Sequence, residues 1–410
     1  MDDLSRQEII KELERRNKEK RKAREKQIKK MKQMIFILAV LFILIVAALV
    51  ALIVKAIKKS DKNKSKTDSV TEATEAQPVE DTPKVDAKLE MIDDASASDA
   101  VGDDFEIKMN FVGDCCMATD LQDTSEGTLL WYEQNYPTSY FFDGVRSVFE
   151  ADDFTVANCE NVFSDSDVGP RDKGDEIAYW FKAPTRFAKV FSDNSIEAVT
   201  INNNHTEDYG DEDFEDTKKA LDAAGVDWGF RDKIIYYEKG GYKIAVVCVS
   251  YYDYEEAEGV LPWLQTAVEN SDFQIVFFHG GIEHVCYVED WKVDACHLMI
   301  DNGADLVIGS HPHVIQRREK YNGADIVYSL GNFCFGGNTA PEPNKTIIYG
   351  YTLKLHKDGD KVELVDRVEN MIPCYIYTGE YNNWQPAIVE DEDIKKEILD
   401  YMNGELEEIY

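Results

Sequence analysis

The sequence predicts an α/β domain preceded by one transmembrane helix, and three features predict it. Met34 to Val54 is an unbroken run of 21 apolar residues, long enough as a helix to cross about 30 Å of hydrocarbon. From Phe105 onward, short apolar runs of strand type alternate with helical patterns, the signature of a largely parallel sheet. Each of five such runs also stops at a cluster of Asp, Glu, Asn or His. In parallel sheets, ligands bind beyond the carboxyl ends of the strands.

The apolar run reads as an uncleaved anchor. A secretory signal has a shorter core, about 7–15 residues, and ends in a small-x-small site; neither feature is present. Residues 14–33 carry eleven Lys/Arg and residues 55–74 carry six, so the positive-inside bias places the N-terminus in the cytoplasm and the large domain outside the cell. The basic tail, residues 1–33, opens with a capping box from Ser5 to Glu8 and a Leu4–Ile9 staple, predicting a solvated helix. Residues 55–104, mostly Ser, Thr, Asp, Glu, Lys and Ala with scattered Pro, predict a flexible stalk, because too little apolar surface is available to offset the entropy of ordering.

The chain holds 45 basic and 79 acidic residues, a net charge of −34. Since the tail is basic and the apolar run uncharged, the acidity is concentrated beyond residue 54. Such a domain repels duplex nucleic acid and anionic lipid surfaces, which excludes both as partners.

Within the domain, residues 105–380, the strand-like runs are IKMNFV before Gly113-Asp114, DFTVA before Asn158-Cys159-Glu160, and IEAVTI before Asn202-Asn203-Asn204-His205. FQIVFF before His279-Gly280-Gly281 and ADLVIG before Ser310-His311-Pro312-His313 follow. Helical patterns lie at Thr185 to Phe191, Asp213 to Ala224 and Trp291 to Asp301, the last closed by Asn302-Gly303. Five of the seven histidines (His205, His279, His284, His311 and His313) sit at or just past these strand ends. Imidazole and carboxylate donors together suit Mn, Fe or Zn, as one ion or two. A His-Pro-His turn taken alone is as readily a loop held by backbone hydrogen bonds.

These motifs resemble, in order, those of the bacterial capsule-synthesis CapA (poly-gamma-glutamate) family. The matching residues are Gly113-Asp114, Asn158-Cys159-Glu160, Asn203-Asn204-His205 running to Asp208-Tyr209-Gly210, and His279-Gly280-Gly281-Ile282-Glu283. They continue with Gly309-Ser310-His311-Pro312-His313 and Tyr328-Ser329-Leu330-Gly331-Asn332-Phe333. The resemblance implies a calcineurin-like metallophosphatase sandwich of two sheets flanked by helices. It implies Asp114 and Glu160 as carboxylate ligands of a divalent transition metal, Asn204 as an amide ligand, and His279, His311 and His313 as the remaining ligands. His205 would be the general acid, Asp208 would orient its ring if that segment is helical, and Glu283 would assist in proton transfer.

One departure stands out: ordinary metallophosphatases carry a histidine two residues past the first aspartate, and here that residue is Cys116. Two functions therefore stay open. One is a metal-dependent hydrolase acting on an anionic polymer or phosphoester in capsule synthesis; the other is a non-catalytic scaffold for capsule synthase or export subunits.

The eight cysteines are even in number, as disulfides require, but several lie inside site motifs or apolar runs, which favours free thiols. Cys116 as a thiolate ligand is the minor alternative. Lys182 is a candidate for holding an anionic group, against an exposed lysine. Tyr251, Tyr252 and Tyr254 form either a pocket wall or a packed corner, and Asn332 is a candidate site-lining residue. Residues 346–376 read as strands completing the second sheet. Residues 381–410 read as an acidic extension packed on the domain, with a surface helix at Asp391 to Tyr401.

Overall fold

The computed structural model describes residues 104–174 and 178–409. The expected tail, apolar run and all of the stalk but Asp104 lie outside the described residues. Among those described, no helix is long and apolar enough to cross a membrane.

Two sheets face each other, with helices on both outer faces. The first runs in the order Ala387–Ile388, Lys361–Tyr375, Thr346–Asp358, Asp104–Cys116, Phe154–Cys159, Ala198–Thr200, Asp227–Gly229, with Asn332–Phe335 also paired to Asp104–Cys116. The second runs Ile315–Tyr321, Ala324–Leu330, Leu306–Ser310, Phe273–His279, Tyr242–Ser250, Ile235–Lys239. A small third sheet joins Thr119–Asp120, Phe181–Ala183 and Val162–Phe163. The central strands of both large sheets are parallel. The strands of residues 346–376 join the sheet that contains Asp104–Cys116 rather than the one holding His279 and His311.

Alternation decides which side chains enter which layer. Ile107, Met109 and Phe111 meet Ile244, Val246, Ile275, Phe277 and Ile308 in one core between the sheets, where Phe111 and Phe277 pack edge to face at 6.3 Å. The other face of the first sheet packs on Leu129, Leu130, Phe149 and Phe191 of short helices and on Leu221 of the helix Asp211–Ala224. The other face of the second sheet packs on Val260, Leu264, Ala295 and Met299, from the helices Tyr254–Asn270 and Asp290–Asp301. Burial on both faces is why these strands read as continuous apolar runs. The helix Asp211–Ala224 ends at Gly225 with φ +71°, the left-handed C-terminal turn that glycine adopts without strain.

The carboxyl ends of the central strands gather on one rim, held by close backbone approaches. The Asp114 amide donates to the Gly331 carbonyl at 2.8 Å. A Cβ at Gly113 would stand 1.9 Å from that same oxygen, so only glycine fits there. The helix Glu392–Met402 is more than a surface element: Ile398, Tyr401 and Met402 are buried in the core between the sheets. Its Tyr401 hydroxyl donates to the Cys286 carbonyl at 2.6 Å.

Candidate metal centre

Six of the side chains singled out in the sequence come together on this rim. Asp114, two residues before the end of its strand, is fully buried, and its Oδ1 accepts from Asn158 Nδ2 at 2.8 Å. Its carboxylate also faces the His311 amide, at 3.2 Å from Oδ2. His279 Nε2 lies 2.7 Å from Asn204 Oδ1, 2.9 Å from His311 Nδ1 and 3.6 Å from Glu160 Oε1. His313 Nδ1 lies 2.9 Å from Asn332 Oδ1 and 3.3 Å from Asp114 Oδ2, and its Nε2 is 3.9 Å from Glu160 Oε1. His311 and His313 both have positive φ, 98° and 60°. Such backbone costs of the order of 1 kcal/mol or more for a non-glycine residue and tends to collect at functional sites.

Two groups of donors result, Glu160 with His311 and His313, and Asp114 with Glu160 and His279; within each group the donor atoms lie within 4.8 Å of one another. Glu160 belongs to both. It is fully buried and neither of its oxygens has a hydrogen-bond partner. Burial, then the neighbouring Asp114 charge, raises its carboxyl well above the ordinary range. A buried carboxylate left bare in this way is strongly disfavoured unless a cation compensates it, so the residues present fit a divalent metal. Burial and the neighbouring imidazoles lower His279 and His311 well below the ordinary histidine range, which keeps both rings neutral, the form that ligates. His313 behaves differently. Burial lowers it, but the Glu160 and Asp114 carboxylates outweigh burial and raise it to about 10, and a metal would displace that proton.

His205 stands beside this cluster. Its Nδ1 lies 2.8 Å from Asp208 Oδ2, and its Nε2 faces Glu160 Oε1 at 3.9 Å. The segment from His205 to Asp208 is a turn rather than a helix, and the turn places the carboxylate where a helical turn was expected to put it. Asp208 is held in turn by the Phe181 amide at 2.8 Å and by Lys173 Nζ at 2.5 Å. Burial lowers the His205 pKa while Asp208 acts against that shift. Glu283 is on the rim, exposed. Its charge bears on Glu160 and His313.

Several expectations are corrected. Lys182 is neither exposed nor offered to a ligand: it is buried, and its ammonium donates to the Ser166 and Val168 carbonyls and to Asp213 at 3.0, 2.8 and 3.1 Å. The three tyrosines separate. Tyr251 stacks on Phe278 in the core, Tyr254 is exposed, and Tyr252 sets its ring edge-on to His311 at 5.2 Å. Cys116 belongs to neither donor group; it is buried and its thiol donates to the Ala118 carbonyl at 3.5 Å. Burial raises that thiol well above its ordinary range, against a thiolate ligand. All eight cysteines are free.

The sequence reading assigned no role to Asn158, Asn203 or Lys173. Asn158 bridges Asp114 and the His279 ring, whose Nδ1 is 3.2 Å from its Nδ2, while Asn203 Nδ2 donates to Asn158 Oδ1 at 3.2 Å. Ser310 Oγ lies 3.1 Å from the same His279 nitrogen and donates to the Phe278 carbonyl. Without a metal, the Asn158 amide donor suits a lone pair on Nδ1 and Asn204 Oδ1 suits a proton on Nε2. An ion held at Nε2 would require that proton to move to Nδ1, against Ser310 Oγ. Asn158 and Asn203 lay inside the quoted motifs and were recoverable; Lys173, in a long loop, carried no local signal.

The family model for the bacterial capsule synthesis protein PGA_cap matches residues 108–337, more than half of the 410-residue chain. The chain belongs to that family. Every residue of the cluster falls inside the match. Among curated capsule proteins, the PGA biosynthesis protein CapA of Bacillus subtilis (strain 168) is 29% identical over 252 residues, 56% of this chain and 63% of that protein. The capsule biosynthesis protein CapA of Bacillus anthracis is 26% identical over 255 residues, 56% of this chain and 60% of that protein. The aligned part is thus under two thirds of either relative. Solved structures align more loosely. A novel phosphatase from Mycoplasma pneumoniae gives a TM-score of 0.36 at 12% identity over 65% of this chain and 94% of that one. The calcineurin-like phosphoesterase YfkN from Bacillus subtilis gives 0.38 at 14% identity over 65% and 90%. Likeness at that level carries no weight for the chemistry of this capsule-family protein, whose layering is evident from its own sheets.

Proposed function

We propose that this chain is a membrane-anchored capsule-biosynthesis protein whose domain stands outside the cell and carries a metal-dependent phosphoesterase site of calcineurin-like type. Its substrate is an anionic polymer or a phosphoester, and its partners are other capsule synthase subunits. The observation that carries the catalytic reading is Glu160, a fully buried carboxylate with two unbonded oxygens, shared by both donor groups.

Asp114, Glu160, Asn204, His279, His311 and His313 would hold one or two divalent ions. Bound ions would supply Lewis-acid polarisation of a phosphoryl oxygen and hydroxide at neutral pH. The chain's own residues do the rest. Asn158 and Ser310 set the His279 ring. Asp208 fixes His205 through Nδ1, leaving Nε2 facing the cluster to take up a proton and return it to a leaving oxygen. Cys115, Cys116 and Phe333, next in sequence to Asp114 and Asn332, are buried, and a low-dielectric surrounding strengthens each charge interaction.

One feature favours the scaffold reading: Cys116 supplies no ligand where a histidine stands in ordinary metallophosphatases. A single experiment separates the two. The full-length chain, purified in detergent without chelator, is analysed for metal and assayed on p-nitrophenyl phosphate and bis(p-nitrophenyl) phosphate. Wild type should hold about one or two ions per chain, and His311→Ala or His313→Ala should lose most of them. His205→Ala should keep the metal and lose about 10²–10⁴-fold in turnover. Metal without turnover assigns the chain to scaffolding; a folded protein without metal rejects the site.

A further inference from the structure

Tyr252 follows the strand Tyr242–Ser250 and precedes the helix Tyr254–Asn270. Its backbone is fixed by that helix's start: Asp253 Oδ1 accepts from the Glu256 amide at 2.9 Å, and Glu256 Oε2 accepts from the Tyr252 amide at 2.7 Å. Asp253 is thus the helix's N-cap, and the Glu256 side chain reaches back one residue further, to the amide of Tyr252. The ring is then held edge-on to His311, with centroids 5.2 Å apart and planes at 86°. The hydroxyl is buried and has no hydrogen-bond partner. Burial raises its pKa first, and then the charges of Glu160, Glu256, Asp114 and Glu283 raise it further, so it stays protonated and lies among the carboxylates of the donor groups and rim.

A buried phenol proton left unmade costs roughly 1–3 kcal/mol in a folded protein. Almost every buried polar group has a partner, and an exception at a ligand site calls for an explanation. Here the backbone is held by the helix start and the ring packs edge-on against His311, and in that position the hydroxyl meets no partner among the described residues.

We propose that the Tyr252 hydroxyl is the fixed neutral donor to a tetrahedral oxyanion, the phosphoryl group of substrate or free phosphate, taken against the Glu160–His311 side of the cluster. This rests on the phosphoesterase reading. No bond is made or broken at Tyr252; it donates one hydrogen bond to an oxygen that gains negative charge, the role of an oxyanion-hole donor.

The test uses the full-length chain in detergent, loaded with Mn²⁺, with inorganic phosphate and bis(p-nitrophenyl) phosphate as probes. Tyr252→Phe keeps the ring and removes only the hydroxyl. Metal content should be unchanged, and the Tm should be unchanged or slightly raised, because the lost group had no partner. Phosphate affinity and kcat should each fall about 10- to 100-fold, the usual worth of one donor to a charged oxygen. A variant that binds phosphate and turns over like wild type overturns the assignment, as does one whose Tm drops, since that would reveal a partner for the hydroxyl within the fold. If metal-loaded wild type neither binds phosphate nor hydrolyses the ester, the phosphoesterase reading itself fails and takes this assignment with it. Wild-type binding with an unaffected variant sinks the Tyr252 assignment alone.

Discussion

Replacing Lys182 with methionine removes one charge from an ion pair that is buried on both sides. The side chains of Lys182 and Asp213 are 1% and 0% exposed, with Nζ 3.1 Å from Oδ2, and the ammonium also caps the Ser166 and Val168 carbonyls and lies 4.2 Å from the centre of the Tyr209 ring. Methionine fills most of the volume but leaves Asp213 with only the Ser166 hydroxyl as donor. Breaking one side of a buried pair costs about 3–5 kcal/mol. The two carbonyls belong to a surface segment, Val168 being exposed, so water can replace their donor and adds little. A loss of about 4 kcal/mol at roughly 2 °C per kcal/mol for a domain of this size is a Tm drop of about 8 °C. Lys182→Met with Asp213→Leu should recover half or more of it, because no charge is then left bare. The assay is guanidinium unfolding of wild type, both single variants and the double variant, followed by tryptophan fluorescence. A single variant within 1 kcal/mol of wild type, or a double variant no better than the worse single, refutes the reasoning.

Two further outcomes follow from the charge distribution. Asp152 and Glu197, at the amino ends of their strands, are raised by burial to about 7 from ordinary carboxyl values near 4 in the unfolded chain. The folded protein therefore binds more protons between about pH 4 and pH 7, and the stability these groups contribute is fully present at the acid end and lost as pH rises through 7. Asp152→Asn can still place a carbonyl oxygen where Oδ2 accepts from Asn110 and Thr155, so it should flatten the fall in Tm between pH 5.5 and 8; melts of equal slope in both proteins would contradict this. Because residues 14–33 carry eleven Lys/Arg and residues 55–74 carry six, protease added to intact cells should release the domain and spare the tail. Protection of residues 105–410 in intact cells would overturn that orientation.

The α/β class and the strands that end at Asp114, Glu160, His205, His279 and His311 were legible in the sequence for a local reason. Period and burial mark a strand within its own residues, and a strand's carboxyl end in a parallel sheet is where chemistry collects. Which sheet each strand enters was not legible from periodicity, since parallel pairing joins segments far apart in the chain: Asn158 lies in one sheet with Glu160 just past its strand, and His279 lies in the other with His311 just past the neighbouring strand. The cluster forms because two separate sheets present the same end to one rim. The turn from His205 to Asp208 shows the same division. The spacing announced contact, and the backbone met it without a helix.

The sequence by itself determined the apolar run, the acidic balance, the order of the strand ends and the kinds of donor each carries, because these depend on neighbours along the chain. Tertiary structure decided what depends on neighbours through space. Lys182 is neutralised only because the helix Asp211–Ala224 brings Asp213 against it. Glu160 is left bare only because two sheets and three histidines enclose it. Tyr252 became a donor without a partner, rather than a packed corner like Tyr251, because the helix that caps its backbone also turns its ring toward His311.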